Sequence, residues 1–153
     1  IAALKEYMPG CSAGKLRNFG MTIGIRDTYK IDSVYNLSDE DVKNECRFED
    51  SVGIYPEFID GFGVLVLPTT GRYMHIPYRS LLPKNIKGLL VVGRAIGGSN
   101  IAHAATRNMA CCTVTGQGAG VAAAETIKNK TSLNSVNISN VQKLLNNQNV
   151  RVF

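Results

Sequence analysis

Two arginines and one histidine stand where charged or proton-carrying side chains could take part in chemistry. His103 and Arg107 are four residues apart, so in a helix they lie on one face. The histidine can transfer a proton there, and the arginine can clamp an anion or stabilise developing negative charge. Arg94 directly follows an apolar run and can pair with a phosphate or a carboxylate. A structural histidine and surface ion pairs are the alternatives, and the sequence leaves them open.

The run Thr-Gly-Gln-Gly-Ala-Gly at residues 115–120 places small residues near the expected start of a helix. Glycines there let unpaired backbone amides approach a ligand closely, because no side chain holds the ligand away. Such amides suit an electron-rich group such as phosphate. Tight packing of the helix against a sheet explains the same glycines equally well, since a short glycine pattern is a weak signal.

The four cysteines form no recognisable metal or redox motif. They contain no CxxC pair and have no histidine at a spacing typical of zinc, so we expect no metal site. Cys111 and Cys112 are adjacent, and a disulfide between neighbours strains the backbone. We expect reduced, partly buried thiols at this alanine-rich position.

Two elements are expected to position the candidate side chains. Residues 88–93, Gly-Leu-Leu-Val-Val-Gly, are an apolar run bounded by glycines, typical of a strand covered on both faces of a parallel sheet. Residues 113–128 favour a helix, and the lysine at their end suits the negative pole of the helix dipole. The turn and short segment between these two elements would carry Arg94, His103 and Arg107.

The remaining pattern predicts a mixed α/β fold. Ser38 followed by Asp41 is a fair helix N-cap, and Val141, Leu144 and Leu145 have the spacing of an amphipathic helix. The sequence predicts strands at 19–34, 64–67 and 73–77, a loop-rich stretch at 46–63, and helices at 1–8, 39–44 and around 141–145.

The composition is that of one ordinary domain. With 153 residues, 44% of them hydrophobic, the chain can bury a core. Its formal net charge of +5 comes from scattered lysines and arginines rather than from the runs that mark a nucleic-acid arm. We therefore expect mild attraction for anions and no nucleic-acid partner. The apolar tract at 119–124 is far too short to span a membrane.

Several ordered motifs together resemble the C-terminal signature of a family of FAD-dependent oxidoreductases, which is similar to the broader group that includes fumarate reductases and glutathione reductase. The motifs are the runs 73–83, 88–95 and 115–120, the residues Ser99, His103 and Arg107-Asn108-Met109, and the upstream stretches 24–31 and 37–42. The resemblance covers most of residues 19–126. Several motifs in the right order identify a family far more specifically than any single motif does.

The resemblance implies an α/β fold made of two parts, with FAD as cofactor. Residues 86–153 would be the C-terminal part of a Rossmann-like FAD-binding domain. Residues 15–85 would be a strand-rich segment of a substrate or cap domain, and residues 1–14 the end of a preceding helix or linker. The implied reaction is hydride transfer between a small organic substrate and the flavin.

The resemblance also assigns the site residues. The catalytic candidates are His103, Arg107 and Arg26, the last in the motif that borders the substrate side. The cofactor-binding candidates share positions along the flavin, where the amides of the glycine run would meet its pyrimidine edge. They are Gly93, Arg94, Ala95, Ser99, Gly116, Gln117, Gly118 and Ala119.

Two departures from the family pattern qualify this assignment. Tyr29 stands where the pattern usually has a second arginine, and the GxGxxG fingerprint that holds the ADP half of the cofactor is absent. With Ile1 as first residue, this predicts a fragment or subunit that needs a companion chain or precursor segment carrying that element. The alternative is a non-catalytic binding or assembly module with the flavoprotein fold.

Overall fold

The computed structural model describes residues 1–61, 63–67, 69 and 71–153, with the backbone alone described for Val64. The α-helices of these residues are Ala2–Tyr7 (α1), Asp39–Lys43 (α2), Asn100–Thr106 (α3), Met109–Asn129 (α4) and Ile138–Asn147 (α5). Their strands are Ser51–Pro56 (β1), Ile59–Gly61 (β2), Val64–Val66 (β3) and Tyr73–Pro77 (β4). Helix and strand are thus mixed, as expected of an α/β fold.

Among the described residues, the strands form two small antiparallel ladders. β1 pairs with β4, with a bulge between Ser51 and Ile54, and β2 pairs with β3. The strands expected at 64–67 and 73–77 are confirmed, but β1 and β2 lie in the stretch expected to be loop-rich. That expectation was wrong in part because the register of β1 is broken by a bulge and by Pro56, which hides its alternation.

Helix α4 packs directly on β1 through two glycines. A Cβ on Gly118 would lie 2.6 Å from Val52 Cβ, and a Cβ on Gly53 would lie 2.5 Å from Val114 Cγ1. Each element therefore approaches the other where it lacks a side chain. This close approach is the packing role that the sequence left open for the glycine run.

The helices with local signals are confirmed. In α2, the Asp41 amide donates to Ser38 Oγ at 3.1 Å and the Ser38 amide donates to Asp41 Oδ2 at 2.8 Å, which is a complete capping box. In α5, Val141 and Leu145 are fully buried. Gln142 Nε2 donates to the carbonyls of Glu49 at 2.7 Å and Ser51 at 3.0 Å, so α5 is tied to β1.

Two expected strands are wrong. Residues 19–34 and 88–93 form no ladder; within the described residues they make only the isolated Ser33–Pro83 bridge and single bonds such as Val91 N–H to the Leu81 carbonyl, 2.9 Å. A strand needs a neighbour with free donors and acceptors, and the described part of the chain places none beside them. Leu89 and Val92 accordingly remain 42% and 39% exposed.

Candidate functional site

Three arginines that are far apart in sequence converge on one cleft. Arg26, Arg94 and Arg107 line a space of about 700 Å³ together with Asn108, Met109 and Cys112. A side lobe of about 290 Å³ shares Arg26 and Arg94 and is otherwise lined by Ile25, Thr28, Tyr29, Val92 and Ala95. Among the described residues that line either space, none is acidic. The cleft therefore has the charge expected of an anion site.

Each arginine is presented by a different kind of element. Arg94 lies in a short 3₁₀ turn, Gly93–Ala95. That turn starts with a positive φ of 71° at Gly93, whose amide donates to Thr115 Oγ1 of α4 at 3.0 Å. Arg107 ends α3, where its amide donates to the His103 carbonyl at 2.9 Å. Arg26 comes from the extended stretch before Ile31, so the cleft is assembled by tertiary packing.

The guanidinium groups are only partly paired. Arg26 Nη1 lies 3.4 Å from Asp60 Oδ2, and both side chains are largely exposed, so this ion pair is weak. Arg94 Nη1 donates to the Ile25 carbonyl at 3.0 Å. Arg107 Nη2 donates to the Asp60 carbonyl, whereas its Nε is buried and has no hydrogen-bond partner. A buried unpaired donor costs free energy, so the hydrogen-bonding capacity of Arg107 is incompletely used.

The amino end of α4 adds to the positive potential. Asn108 is the N-cap, but its side chain makes no capping bond and instead donates to the Ala105 carbonyl at 2.9 Å. Met109, the first helical residue, is 87% exposed on the cleft wall. The first amides of a 21-residue helix thus lie beside the arginines, with the positive pole of its dipole.

His103 lies beneath the cleft and does not line it. The side chain is 2% exposed, and its Nε2 is 3.3 Å from the Arg26 carbonyl and 3.4 Å from Asp27 Oδ1. Its Nδ1 is buried and unpaired. Burial lowers the pKa of His103, an effect that the nearby Asp27 carboxylate opposes. The helix face shared with Arg107 is confirmed, but His103 contacts the segment that carries Arg26.

The glycine run does not reach the cleft. Because α4 begins at Met109, Gly116, Gly118 and Ala119 lie inside the helix, so the expected helix start at residue 113 was wrong. The early turns 109–112 hold Cys111 and Cys112, which gave no capping signal at the sequence level. Gly118 faces Val52, and a Cβ at Gly116 would meet nothing within 4 Å.

The other expected cofactor contacts divide into two groups. Gly93, Arg94 and Ala95 form the turn at the cleft and its side lobe. Ser99 instead caps α3, accepting from the Ala102 amide at 3.2 Å, and its hydroxyl donates to Asp39. Gln117 Nε2 donates to Gln148 Oε1 at 2.9 Å on the opposite, exposed side of α4.

Sequence reasoning missed several cleft residues. Asn108, an N-cap residue directly before the alanine-rich run, carried a readable signal for the true start of α4. Asp60, which contacts Arg26 and Arg107 from beside the cleft, had none, because its position depends on how distant segments fold back. Cys112 borders the cleft, where burial raises the pKa of its thiol against the opposing effect of Arg94, whereas Cys111 is fully buried as expected.

The described residues contain no cluster of three or more histidine, cysteine, aspartate or glutamate side chains suited to a metal ion. None of the helices they form is both long and apolar enough to cross a membrane.

Comparison with known proteins supplies the family. Neither the curated proteins nor the solved structures contain a significant match to the chain. The profile of the family described as "FAD dependent oxidoreductase" matches residues 1–145, which is nearly all of the 153 residues. The resemblance noted in the motifs is thereby confirmed, and the cofactor of this family is FAD. The chain belongs to the FAD-dependent oxidoreductase family.

Proposed function

We propose that the cleft binds the anionic group of a small organic substrate while that substrate exchanges a hydride with FAD. The convergence of Arg26, Arg94 and Arg107 at the amino end of α4 carries this proposal. When bound, FAD supplies the redox centre of the reaction. The protein residues bind and orient the substrate anion, and they stabilise negative charge that develops near them.

The donor set of the cleft fits the proposed cofactor as well as the substrate. The turn Gly93–Ala95 has little side-chain bulk apart from Arg94, so its backbone can approach a flat ring or a phosphate. Arg94 is exposed and makes one hydrogen bond to a carbonyl. We assign Gly93, Arg94 and Ala95 to the flavin side of the cleft, and Arg26 and Arg107 to the substrate anion.

His103 has a supporting role in this proposal. It is buried and held neutral by desolvation, and it contacts the Arg26 carbonyl rather than the cleft. It therefore positions the segment that carries Arg26 and does not exchange a proton with substrate. This replaces the catalytic role that we expected from the sequence.

We also propose that another polypeptide segment completes the flavin site. The chain has no GxGxxG element for the ADP half of the cofactor, and its apolar residues 88–93 make no ladder within the described residues. A companion chain or precursor segment with a parallel strand would pair with them. Residues 86–153 would then be the C-terminal part of a Rossmann-like domain, and residues 15–85 part of a cap.

A titration tests the anion site. Protein purified in its natural assembly is titrated with acetate, and binding is followed by flavin absorbance and by calorimetry. Arg107→Lys keeps the charge but loses the planar fork, and Arg26→Gln removes one charge; each is expected to weaken acetate binding at least about fivefold. Arg17→Gln, an exposed arginine outside the cleft, is the matched control.

Unchanged acetate affinity in both cleft variants would overturn the proposal. So would competition in which pyrophosphate displaces acetate and blocks FAD rebinding, because the three arginines would then hold the cofactor phosphates instead of substrate.

One observation favours a second function, a non-catalytic module. Asp60 reaches the cleft from β2, with its carboxylate near Arg26 and its carbonyl bonded to Arg107. If Asp60 permanently occupies these groups, the cleft is blocked. A flavin that is reduced by dithionite but by no member of a panel of organic acids and alcohols would support the module.

A further inference from the structure

We infer that residues 18–25 are a docking edge for a strand of another polypeptide, one with apolar residues on one face and acidic residues at its ends. Large apolar side chains alternate in this segment with small or polar ones. The apolar ones are Phe19, Met21, Ile23 and Ile25, which are 81%, 100%, 88% and 65% exposed. Alternation of this kind is typical of a strand with one buried face, yet the described residues leave that face uncovered.

The backbone of this segment is as free as its side chains. Within the described residues, no amide or carbonyl of 15–24 bonds to another backbone group. A row of unpaired donors and acceptors is a template for pairing with another strand. Backbone hydrogen bonds then supply affinity, and the alternate apolar side chains supply specificity.

The carboxyl end of the segment is already anchored to the folded body. The Ile25 carbonyl accepts a hydrogen bond from Arg94 Nη1 at 3.0 Å, and the Ile31 amide donates to the Ala95 carbonyl at 3.0 Å. A fixed end reduces the conformational freedom that pairing has to remove. An incoming strand therefore needs to order only the residues before Ile25.

Charge decides which strand fits this edge. Residues 15–30 contain four basic residues and one acidic residue, Asp27, which is paired with Lys30 at 2.9 Å. Lys15 and Arg17 are exposed directly before the apolar residues, and Arg26 follows them. A second copy of the chain would bring like charges together, whereas acidic residues at the ends of a partner strand complement them.

A lipid surface fits the segment less well, although apolar and basic side chains occur together in it. Segments that lie in a membrane surface pair their backbone groups in a helix, because the hydrocarbon offers no hydrogen bonds. Residues 15–30 contain no helix, and Gly20 and Gly24 disfavour one. A partner strand instead supplies the backbone bonds together with the apolar contact.

Hydrogen exchange at single-amide resolution tests the inference on the protein in its natural assembly, before and after addition of a synthetic peptide. The peptide is a short run of alternating valine and threonine with a pair of glutamates at each end. Every second amide of residues 18–25 is expected to exchange at least about tenfold more slowly in one or both states, because alternate amides of an edge strand face its partner. Fast exchange throughout the segment in both states would overturn the inference.

Two matched peptides separate charge from backbone pairing in calorimetric titrations. The peptide with lysines in place of the glutamates is expected to bind at least about tenfold more weakly than the acidic one. The acidic peptide with N-methyl groups on alternate amides is expected not to bind, because it cannot donate to a neighbouring strand. Equal binding of either matched peptide would contradict the partner that we infer.

A pair of variants locates the contact. Ile23→Ser is expected to weaken binding of the acidic peptide at least about fivefold. Ile127→Ser, which changes an isoleucine of similar exposure in α4, is the matched control and should leave the affinity unchanged. Because both side chains are exposed, both variants are expected to fold, and an unchanged melting temperature checks this. Equal losses in the two variants would overturn the assignment to residues 18–25.

Two further measurements cover the other occupants of this surface. Binding to vesicles of phosphatidylcholine and phosphatidylserine that Ile23→Ser abolishes would assign the segment to a membrane surface and overturn the strand partner. A dimer in sedimentation that Ile23→Ser dissociates would assign it to a second copy of the chain, with the same consequence. We expect neither.

Discussion

Asp60 places a carboxylate beside the cleft that competes with a ligand for Arg26. Its carboxylate is 3.4 Å from Arg26 Nη1, and the two side chains are 41% and 58% exposed. An exposed pair of this kind contributes little to stability but does reduce the charge that a ligand meets. The residue therefore tunes anion affinity more than it supports the fold.

Asp60→Asn is expected to tighten acetate binding about twofold to fivefold, because the carboxylate that neutralises Arg26 is removed. Titration at low and high salt measures it, and the gain should shrink as salt rises. Asp32→Asn, which loses a similar pair with Lys84 outside the cleft, is the control and should leave acetate affinity unchanged. Weaker binding by Asp60→Asn would mean that Asp60 positions the arginines.

His103 shows how far residue-level reasoning reaches. The four-residue spacing correctly placed it on the Arg107 face of a helix, because that relation is local. Its burial depends on the segment 24–31 folding over α3, which no local pattern encodes. A proton-transfer role was therefore a fair expectation from residue type, yet the side chain is covered.

Acid is expected to destabilise the fold through the two histidines. Burial lowers the pKa of His75 and of His103 below the usual 6.5, so below that pH the unfolded chain takes up protons that the folded chain resists. The contribution of these histidines to the free energy of unfolding is complete above pH 6.5. It is lost as the pH falls toward the pKa that the histidines have in the folded protein. Urea unfolding at pH 7.5, 6.5 and 5.5 measures it.

The comparison with His103→Gln isolates one of these groups. The variant should lose less unfolding free energy than the natural chain between pH 7.5 and 5.5, by up to about 1.4 kcal/mol per pH unit below 6.5. His75→Gln should show a separate, similar effect. Parallel pH dependences for His103→Gln and the natural chain would contradict the burial of His103.

At the scale of elements, the contact between α4 and β1 organises the molecule. The strand and the helix meet where glycine lacks a side chain, and the buried residues Val52, Ile76 and Ala122 fill the surrounding core. Interiors are packed closely enough that one added methyl group is felt. The packing interpretation of the glycine run thus outweighs the ligand interpretation.

Gly118→Ala is expected to destabilise the protein by about 1–3 kcal/mol, because the new Cβ would lie 2.6 Å from Val52 Cβ. Gly116→Ala, two residues away with nothing within 4 Å, is the matched control and should stabilise by up to about 1 kcal/mol through helix propensity. Chemical denaturation of both variants measures the difference. Equal shifts would show that α4 does not approach β1 this closely.

Elements with local signals could be predicted, and elements that need distant partners could not. The capping box of α2 and the apolar stripe of α5 are complete within a few residues, and both helices form as expected. Residues 19–34 and 88–93 have strand-like composition, but a ladder also requires a neighbouring strand. A local sequence pattern shows that a segment has the composition of a strand. It does not show whether a second strand lies beside that segment.

At the scale of the whole molecule, one stretch is held far less firmly than the rest. Within the described residues, no amide of 15–30 donates to another backbone group. Phe19, Met21 and Ile23 are 81%, 100% and 88% exposed. The core itself joins residues on both sides of position 85, and the division into cap and flavin segments stays a prediction.

Limited trypsin digestion is expected to cut first after Lys15 or Arg17, because a segment with few backbone bonds opens at little cost. Lysines in α4 and α5, such as Lys128 and Lys143, should be cut later. Mass spectrometry of the first fragments identifies the sites. A first cut within residues 100–147 would contradict this order, and protection of residues 15–30 in the natural assembly would place the companion there.

The bonds between α5 and β1 also bear on how the chain is made. Strand β1 near residue 51 is held by Gln142, and Val152, 2% exposed, completes the same core. The early part of the chain therefore waits for residues 138–152 to leave the ribosome before its interior can close. Until then its apolar strands stay uncovered, and uncovered apolar surface favours aggregation.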